Sequence, residues 1–209
     1  MPQPGHSQKP AGPRLALVSA HAGDETIVAR LRAGDRTAIA ALFDRHAEAI
    51  ERVLHRVLGL DAEIPDLLQD VFVHAMQGAS RYKGELGSVL PWLIQIAVRS
   101  ARKHIRRRTT RRWLGLTETD ELPDAPAAID PEQQAALARV YRVLDRMPSR
   151  ERIPFALRFV DGMQLVEVAD ACELSLATTK RRLAKARTRF TAMAGRDAIL
   201  SAWIAEEQR

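Results

Sequence analysis

Two stretches of this chain concentrate positive charge at helical spacing, and both suit contact with a polyanion. Ser175 to Arg187 reads SLATTKRRLAKAR, with five basic residues and no acid. On a helix, Leu176, Leu183, Ala186 and Phe190 fall on one side, and Thr178, Lys180, Arg181, Lys185 and Arg189 face outward. The segment before it predicts a short helix from Gln164 to Ala171, with Leu165, Val168 and Ala171 inward, followed by the turn CELS. Such a pair has the form of a helix-turn-helix, whose second helix lies in the major groove, where Lys or Arg donates to guanine O6 and N7. The alternative is a basic, solvated helix of a bundle; the lack of any acid from Leu174 to Arg196 favours the DNA-reading helix.

The second stretch, RSARKHIRRRTTRR from Arg99 to Arg112, holds eight Arg or Lys residues and no acid. One or two cations at a helix end complement the helix dipole. Eight instead suit a row of phosphates, whose neutralisation releases counterions and makes binding salt-sensitive. Upstream, Arg81, Tyr82 and Lys83 lie in the Gly-flanked segment SRYKGELG. An aromatic beside cations can stack an unpaired base, and it can equally anchor a packed loop. In DLLQDVF, Asp66, Gln69 and Asp70 share an exposed helical face at i, i+3 and i+4. An acidic patch suits a protein partner better than nucleic acid, with a plain solvated face as the alternative.

No phosphate-cradling loop, HExxH, paired His/Cys ligands or Ser/His/Asp array stands at motif spacing, so the sequence supports neither catalysis nor a cofactor or metal. The single cysteine, Cys172, excludes an internal disulfide; a small buried hydrophobe between the two helices of the helix-turn-helix is its expected role. A reducing, cytoplasmic setting follows. The run LALVSA near the start is too short for a signal peptide or a membrane span, so no membrane insertion is expected. The 32 basic against 26 acidic residues, net +6, agree with a polyanionic partner. Arg supplies 27 of those basic residues, a bias that a GC-rich genome also explains.

The elements that must position these side chains are helices throughout. Only 5% of the residues are aromatic and β-branched runs bounded by turns are missing, so the fold class is all-α. After an N-terminal arm, residues 1–23, expected to be disordered, Asp24 is placed to cap the helix DETIVARLRAG, and Gly34-Asp35 to stop it and cap the next. That next helix presents Ile39, Leu42, Phe43, Ala47, Ile50, Leu54 and Val57 on one face and ends at Gly59. A third is predicted over Glu63–Gln77 and a fourth from a Ser88 cap to about Arg108. Between Trp113 and Glu132 the chain carries six acids, three prolines and no basic residue, the composition of a self-repelling linker. Helical patterning resumes near Pro131, breaks at Pro148, and runs through the helix-turn-helix to a short tail with Trp203. Two small helical domains, residues 24–112 and 131–193, joined by a flexible acidic linker over 113–130 and followed by a tail over 194–209, are the expected organisation.

Taken together, GDRTAIAALFDRH, DLLQDVFVHAM, RYKGELGSVLPWLIQIAVRSARKHIRRR, MPSRERIPFALRFVDGM and EVADACELSLATTKRRLAKAR resemble the bacterial extracytoplasmic-function sigma factors from about Asp24 to Met193. The resemblance implies a first domain that binds core RNA polymerase and opens the −10 element of promoter DNA, and a second whose helix docks in the −35 element. It implies polymerase contacts at Asp66, Gln69 and Asp70, and capture of a flipped, single-stranded base by the loop of Arg81, Tyr82 and Lys83. Arg99, Lys103, Arg106 and Arg107 would follow the −10 strand, and Thr178, Lys180, Arg181 and Lys185 would face the −35 groove. It also implies a linker that threads into the polymerase and an anti-sigma factor as a partner, for which the residues themselves show no site. Departures from the family pattern are Glu173 for the turn glycine, Thr179 for an inward aliphatic, Pro154 for an aliphatic, and Ser100, Arg102 and Lys103 in a stretch normally more apolar or acidic. A stand-alone helix-turn-helix regulator would need neither DLLQDVF nor the linker, and a nucleic-acid-processing enzyme or recombinase would need a carboxylate or nucleophile cluster.

Overall fold

A computed structural model describes residues 23–82, 89–115, 131–195, 197 and 200, without the side chains of 131–134 and 136. The N-terminal arm, Lys83, the Ser88 cap, most of the acidic linker and Trp203 lie outside the described residues. The described residues form helices α1 (Asp24–Arg32), α2 (Ala38–Leu58), α3 (Ile64–Gly78), α4 (Val89–Trp113), α5 (Pro131–Leu144), α6 (Ser149–Phe155), α7 (Leu165–Cys172) and α8 (Leu176–Ala194), with no strand among them. A single 3₁₀ turn, Ala79–Arg81, follows α3, and α6 runs on as a π turn over Ala156–Val160. Pro154, which lacks an amide to donate, is buried inside α6. Beyond it the amide of Asp161 reaches back five residues to the carbonyl of Ala156, 2.9 Å away.

The first four helices pack around the apolar faces the periodicity predicts. Leu42, Ile50, Leu54 and Val57 of α2, Leu67, Leu68, Val71, Phe72 and Ala75 of α3, and Leu93, Ile94, Ala97, Ala101 and Ile105 of α4 are buried. Phe43 is the exception; it lies at the edge of the core against Phe72, with ring centroids 4.9 Å apart. Three local expectations change. Asp24 does not cap α1, whose N-cap is Gly23; the Asp24 side chain turns inward, 3.0 Å from Nε2 of His46 and 3.1 Å from Nη1 of Arg45. Asp35 does hold the start of α2, accepting from the amide of Thr37 at 3.0 Å, although Thr37 is the N-cap. Helix α4 extends past Arg108 to Trp113, because its last turns are neutralised from other elements. Arg108 donates to Asp61 at 2.6 Å, and Arg111 and Arg112 lie 3.9 and 3.8 Å from Glu63 and Asp145.

The halves on either side of the linker are not separate beads. Ile153, Ala156, Leu157, Met163, Val168, Ala171 and Cys172 join the same apolar cluster as α1 to α4, while Leu144, Met147, Phe155, Ala186 and Phe190 form a smaller one. The joint is sealed at the C-terminal end of α2, where a helix leaves its final carbonyls without internal partners. The Tyr141 hydroxyl donates to the carbonyls of His55 (2.9 Å) and Arg56 (3.0 Å). Arg152 donates from Nε to Val57 (2.9 Å), from Nη2 to Leu58 (3.0 Å), and from Nη1 to the carboxylate of Asp145. Gly59 is required at this point, since its φ is 80° and a Cβ there would come within 2.7 Å of the Tyr141 ring. Burial raises the Tyr141 hydroxyl to about 12 and lowers the Arg152 guanidinium.

Asp61, between α2 and α3, ties the loop to α4. Nε2 of His104 lies 2.8 Å from its carboxylate, and Arg108 and the Glu63 amide also donate to it. Burial alone would raise the Asp61 carboxyl, but the bond to His104, the Glu63 amide and the charges of His104 and Arg108 outweigh it and bring it down to about 2. A depressed carboxyl contributes stability above its unfolded value of 3.8, and that contribution fades as pH falls towards 2. The loss should be about 2 kcal/mol at most. Urea unfolding of the wild type and Asp61→Asn at pH 6 and pH 2.5 would read it as a shallower acid dependence in the variant. Parallel curves would remove Asp61 from the acid sensitivity of the fold.

Candidate nucleic-acid interface

Helix α7 starts where the amide of Gln164 donates to the carboxylate of Glu167 at 2.6 Å. It buries Val168, Ala169, Ala171 and Cys172, while Leu165 is half-buried. The turn closes at Glu173 with φ 56° and ψ 51°, the left-handed conformation that the sequence pattern reserves for glycine. Ser175 then caps α8, its hydroxyl oxygen accepting from the amide of Thr178 at 3.3 Å. The inward residues of α8 are Thr179, Leu183, Ala186, Phe190 and Ala194. Leu176, expected inside, is 46% exposed, and the inward place in the first turn of α8 goes to Thr179. The Thr179 hydroxyl donates to the Ser175 carbonyl at 3.1 Å.

The four residues expected on the groove-facing side divide into three exposed cations and one residue held by the Ser175 cap. Lys180, Arg181 and Lys185 are exposed. Thr178 is half-buried and its hydroxyl accepts from that of Ser175 at 2.9 Å. Arg181 and Lys185 line one open groove of about 610 Å³ with Ala184, Thr188, Arg189 and Ala192. Arg189, which the spacing places outward, also bonds from Nε to the buried carboxylate of Glu151 at 2.6 Å, fastening α8 to α6.

Along α4, Arg99, Lys103, Arg106 and Arg107 line a second open groove, of about 620 Å³. The same groove takes in Arg102 and Arg111, which are among the eight cations of that stretch but not among the four residues assigned to the −10 strand, and Thr110, which is in neither set. Their i+3 and i+4 spacing from Arg99, Arg106 and Arg107 was the available signal. Lys103, Arg106 and Arg107 are exposed and make no ion pair with a described residue, whereas Arg99 is bonded to Glu173 and the half-buried Arg102 lends its charge to the same carboxylate. Cations without internal partners are what an anionic strand can neutralise at no structural cost.

Arg81 is exposed at the end of the 3₁₀ turn. Tyr82 is buried, its ring 4.8 Å from that of Trp92, with the Arg32 guanidinium 5.7 Å from its centroid. In this conformation the Tyr82 ring is packed against Trp92 and would have to leave it to stack a base. On α3, Asp66, Gln69 and Asp70 are all exposed on one face. Cys172 is buried, and burial pushes its thiol up to about 11. Among the described residues no cluster of His, Cys, Asp or Glu could hold a metal, and no helix is long and apolar enough to cross a membrane.

Comparison with known proteins divides the chain at the same linker. Residues 42–111 match the family described as Sigma-70 region 2, and residues 137–190 match Sigma-70, region 4. The chain is 28% identical over 180 residues to the ECF RNA polymerase sigma factor SigK of Mycolicibacterium vanbaalenii, covering 83% of this chain and 89% of that protein. It is 26% identical over 175 residues to RNA polymerase sigma factor NccH of Alcaligenes xylosoxydans, covering 81% and 94%. Against the ECF RNA polymerase sigma-E factor of Escherichia coli it is 23% identical over 174 residues, covering 78% and 90%. The fold is similar to that of CnrH, solved in complex with the cytosolic domain of CnrY, with a TM-score of 0.55 at 21% identity, over 84% of this chain and 99% of that one.

Proposed function

Given that the chain belongs to the extracytoplasmic-function sigma factors, and so binds core RNA polymerase and promoter DNA in transcription initiation, we propose how its surfaces divide that work. Residues 24–112 form the unit that holds polymerase and the −10 strand, and residues 131–193 the unit that reads the −35 duplex. Asp66, Gln69 and Asp70 are the polymerase contacts: all three are exposed on α3, two of them are acids, and none lines either basic groove. Lys103, Arg106 and Arg107, with Arg99 once released from Glu173, neutralise the phosphates of the separated strand. Arg81 and Lys83 flank that strand's path, while Tyr82 holds the base of the loop and reaches a flipped base only by leaving Trp92. Lys180, Arg181 and Lys185 read or flank the −35 groove, and Thr178 sets the start of the reading helix.

The observation that carries this division is the row of cations on α4 without internal partners, on the same chain as a Ser-capped basic helix-turn-helix. The chain carries no catalysis of its own and works in the cytoplasm beside polymerase. An inhibitory protein partner is also proposed, on the analogy of CnrH, which has been captured with the cytosolic domain of CnrY.

Transcription in vitro with core polymerase and genomic fragments, followed by start-site mapping, tests the reading. Start sites that depend on the added chain and share a spaced pair of elements are expected. DNA binding without core polymerase, and no new start sites, would favour the stand-alone regulator. Within the second unit, Lys180→Ala or Arg181→Ala should weaken binding to the −35 element by about 1–3 kcal/mol for each base the side chain no longer reaches. An equal weakening on unrelated duplex would reassign the residue to phosphate.

A further inference from the structure

Glu173 is the one non-glycine residue with positive φ among the described residues, in a conformation that a side chain bearing a Cβ adopts at a cost. Its carboxylate spans to the other half of the chain and takes a fork from Arg99 of α4, Nε to Oε1 at 2.6 Å and Nη2 to Oε2 at 2.7 Å. This paired geometry is the one a guanidinium offers to a phosphate. Beside it, Gln95 of α4 donates to the carbonyl of Asp170 at 3.1 Å, so the helix-turn-helix is seated on α4 at its turn.

Resting on the reading of α4 as a DNA-contacting helix, we infer that Glu173 is an intramolecular phosphate mimic, a latch that docks the helix-turn-helix on α4 and occupies Arg99 until DNA replaces it. The elements named −35 and −10 are about 25 base pairs apart, about 85 Å of B-form DNA at 3.4 Å per base pair. With α7 and its turn seated on α4, and α8 packed in turn on α7, both reading helices are held within one packed body, so the docked form cannot span both elements at once. Opening must break the Arg99–Glu173 pair, and a phosphate on Arg99 offsets the loss. The pair titrates as a closed ion pair: the bond from Arg99 lowers the Glu173 carboxyl, and the bond to Glu173 raises the Arg99 guanidinium.

The two side chains are 54% and 41% exposed, so the pair is a switchable contact, easily exchanged with solvent or phosphate. In fluorescence anisotropy with the full chain and a single-stranded oligodeoxynucleotide, Glu173→Gln should tighten binding about two- to five-fold. Glu173→Gly should do the same while keeping the turn, since glycine accepts the left-handed conformation freely. In an Arg99→Ala background the effect of Glu173→Gln should vanish, which separates the latch from the general gain of removing a negative charge. Unchanged affinity in Glu173→Gln, or equal tightening in both backgrounds, would overturn the latch. Hydrogen exchange over residues 165–175 reads docking without DNA: faster exchange in Glu173→Gln is expected, and exchange identical to wild type refutes the latch even if no oligonucleotide binds. Failure of every form to bind oligonucleotide, with faster exchange in the variant, would keep the docking role of Glu173 and count against α4 as the strand-binding helix.

Discussion

Replacing Arg152 with alanine should destabilise the association of the two halves by about 3–5 kcal/mol, the range for truncating one member of a buried, charged hydrogen-bond network. The Arg152 guanidinium serves three acceptors from a buried position: the carbonyls of Val57 and Leu58 and the carboxylate of Asp145. Alanine leaves the two carbonyls facing protein without a donor, at the negative end of the α2 dipole. Asp145 is 28% exposed and can recover water, so the carbonyls dominate the cost. Urea unfolding followed by circular dichroism is the measurement. Arg152→Lys, which keeps the charge but cannot serve three acceptors with one rigid fork, should recover only part of the stability. A midpoint equal to wild type for Arg152→Ala would show that water caps α2 as well as the guanidinium does.

The second large effect concerns DNA. Simultaneous Lys103→Ala, Arg106→Ala and Arg107→Ala should lower affinity for a single strand about 100-fold at 0.1 M salt, since each phosphate contact to single-stranded DNA contributes about 0.7 to the slope of log K against log salt. The slope itself should fall by about 2. Anisotropy titrations at several salt concentrations read both quantities. These three side chains make no ion pair with a described residue, so the unfolding midpoint should stay close to wild type. Weaker binding with an unchanged slope would mean that they touch bases, and an unchanged affinity would remove them from the strand's path.

Much of this fold is legible in the order of residues because it depends on local rules. The 3.6-residue spacing of Leu42, Ile50, Leu54 and Val57, or of Leu183, Ala186 and Phe190, states which face is buried without reference to any partner. What stays hidden is pairing across the chain. Asp24 has the type and place of an N-cap, and nothing nearby in sequence reveals that His46 and Arg45 draw it inward. The end of α4 is hidden likewise, since a run of like charges should fray unless Asp61, Glu63 and Asp145 arrive from elsewhere.

The candidate site shows the same division. Outward cations on α8 and α4 follow from spacing, and Arg102 and Arg111 obey the same rule. The acidic linker marks out two small domains, yet Ile153, Leu157 and Val168 share a core with the first four helices, a packing across the chain that no local pattern states. Glu173 is the most telling position. By local rules it is a poor turn residue; its Arg99 partner, 74 positions away in sequence, accounts for its side chain.

Cys172, the last residue of α7, is buried in the apolar cluster that the two halves share, with its thiol protonated at neutral pH. A reagent in solution therefore meets no thiolate until the halves part, and the rate of modification becomes opening frequency multiplied by the intrinsic rate of an exposed thiol. The chain thus carries its own clock, needing no added label: modification timed in the presence of oligonucleotide, polymerase or an inhibitory protein would rank those partners by how often each allows the two halves to separate.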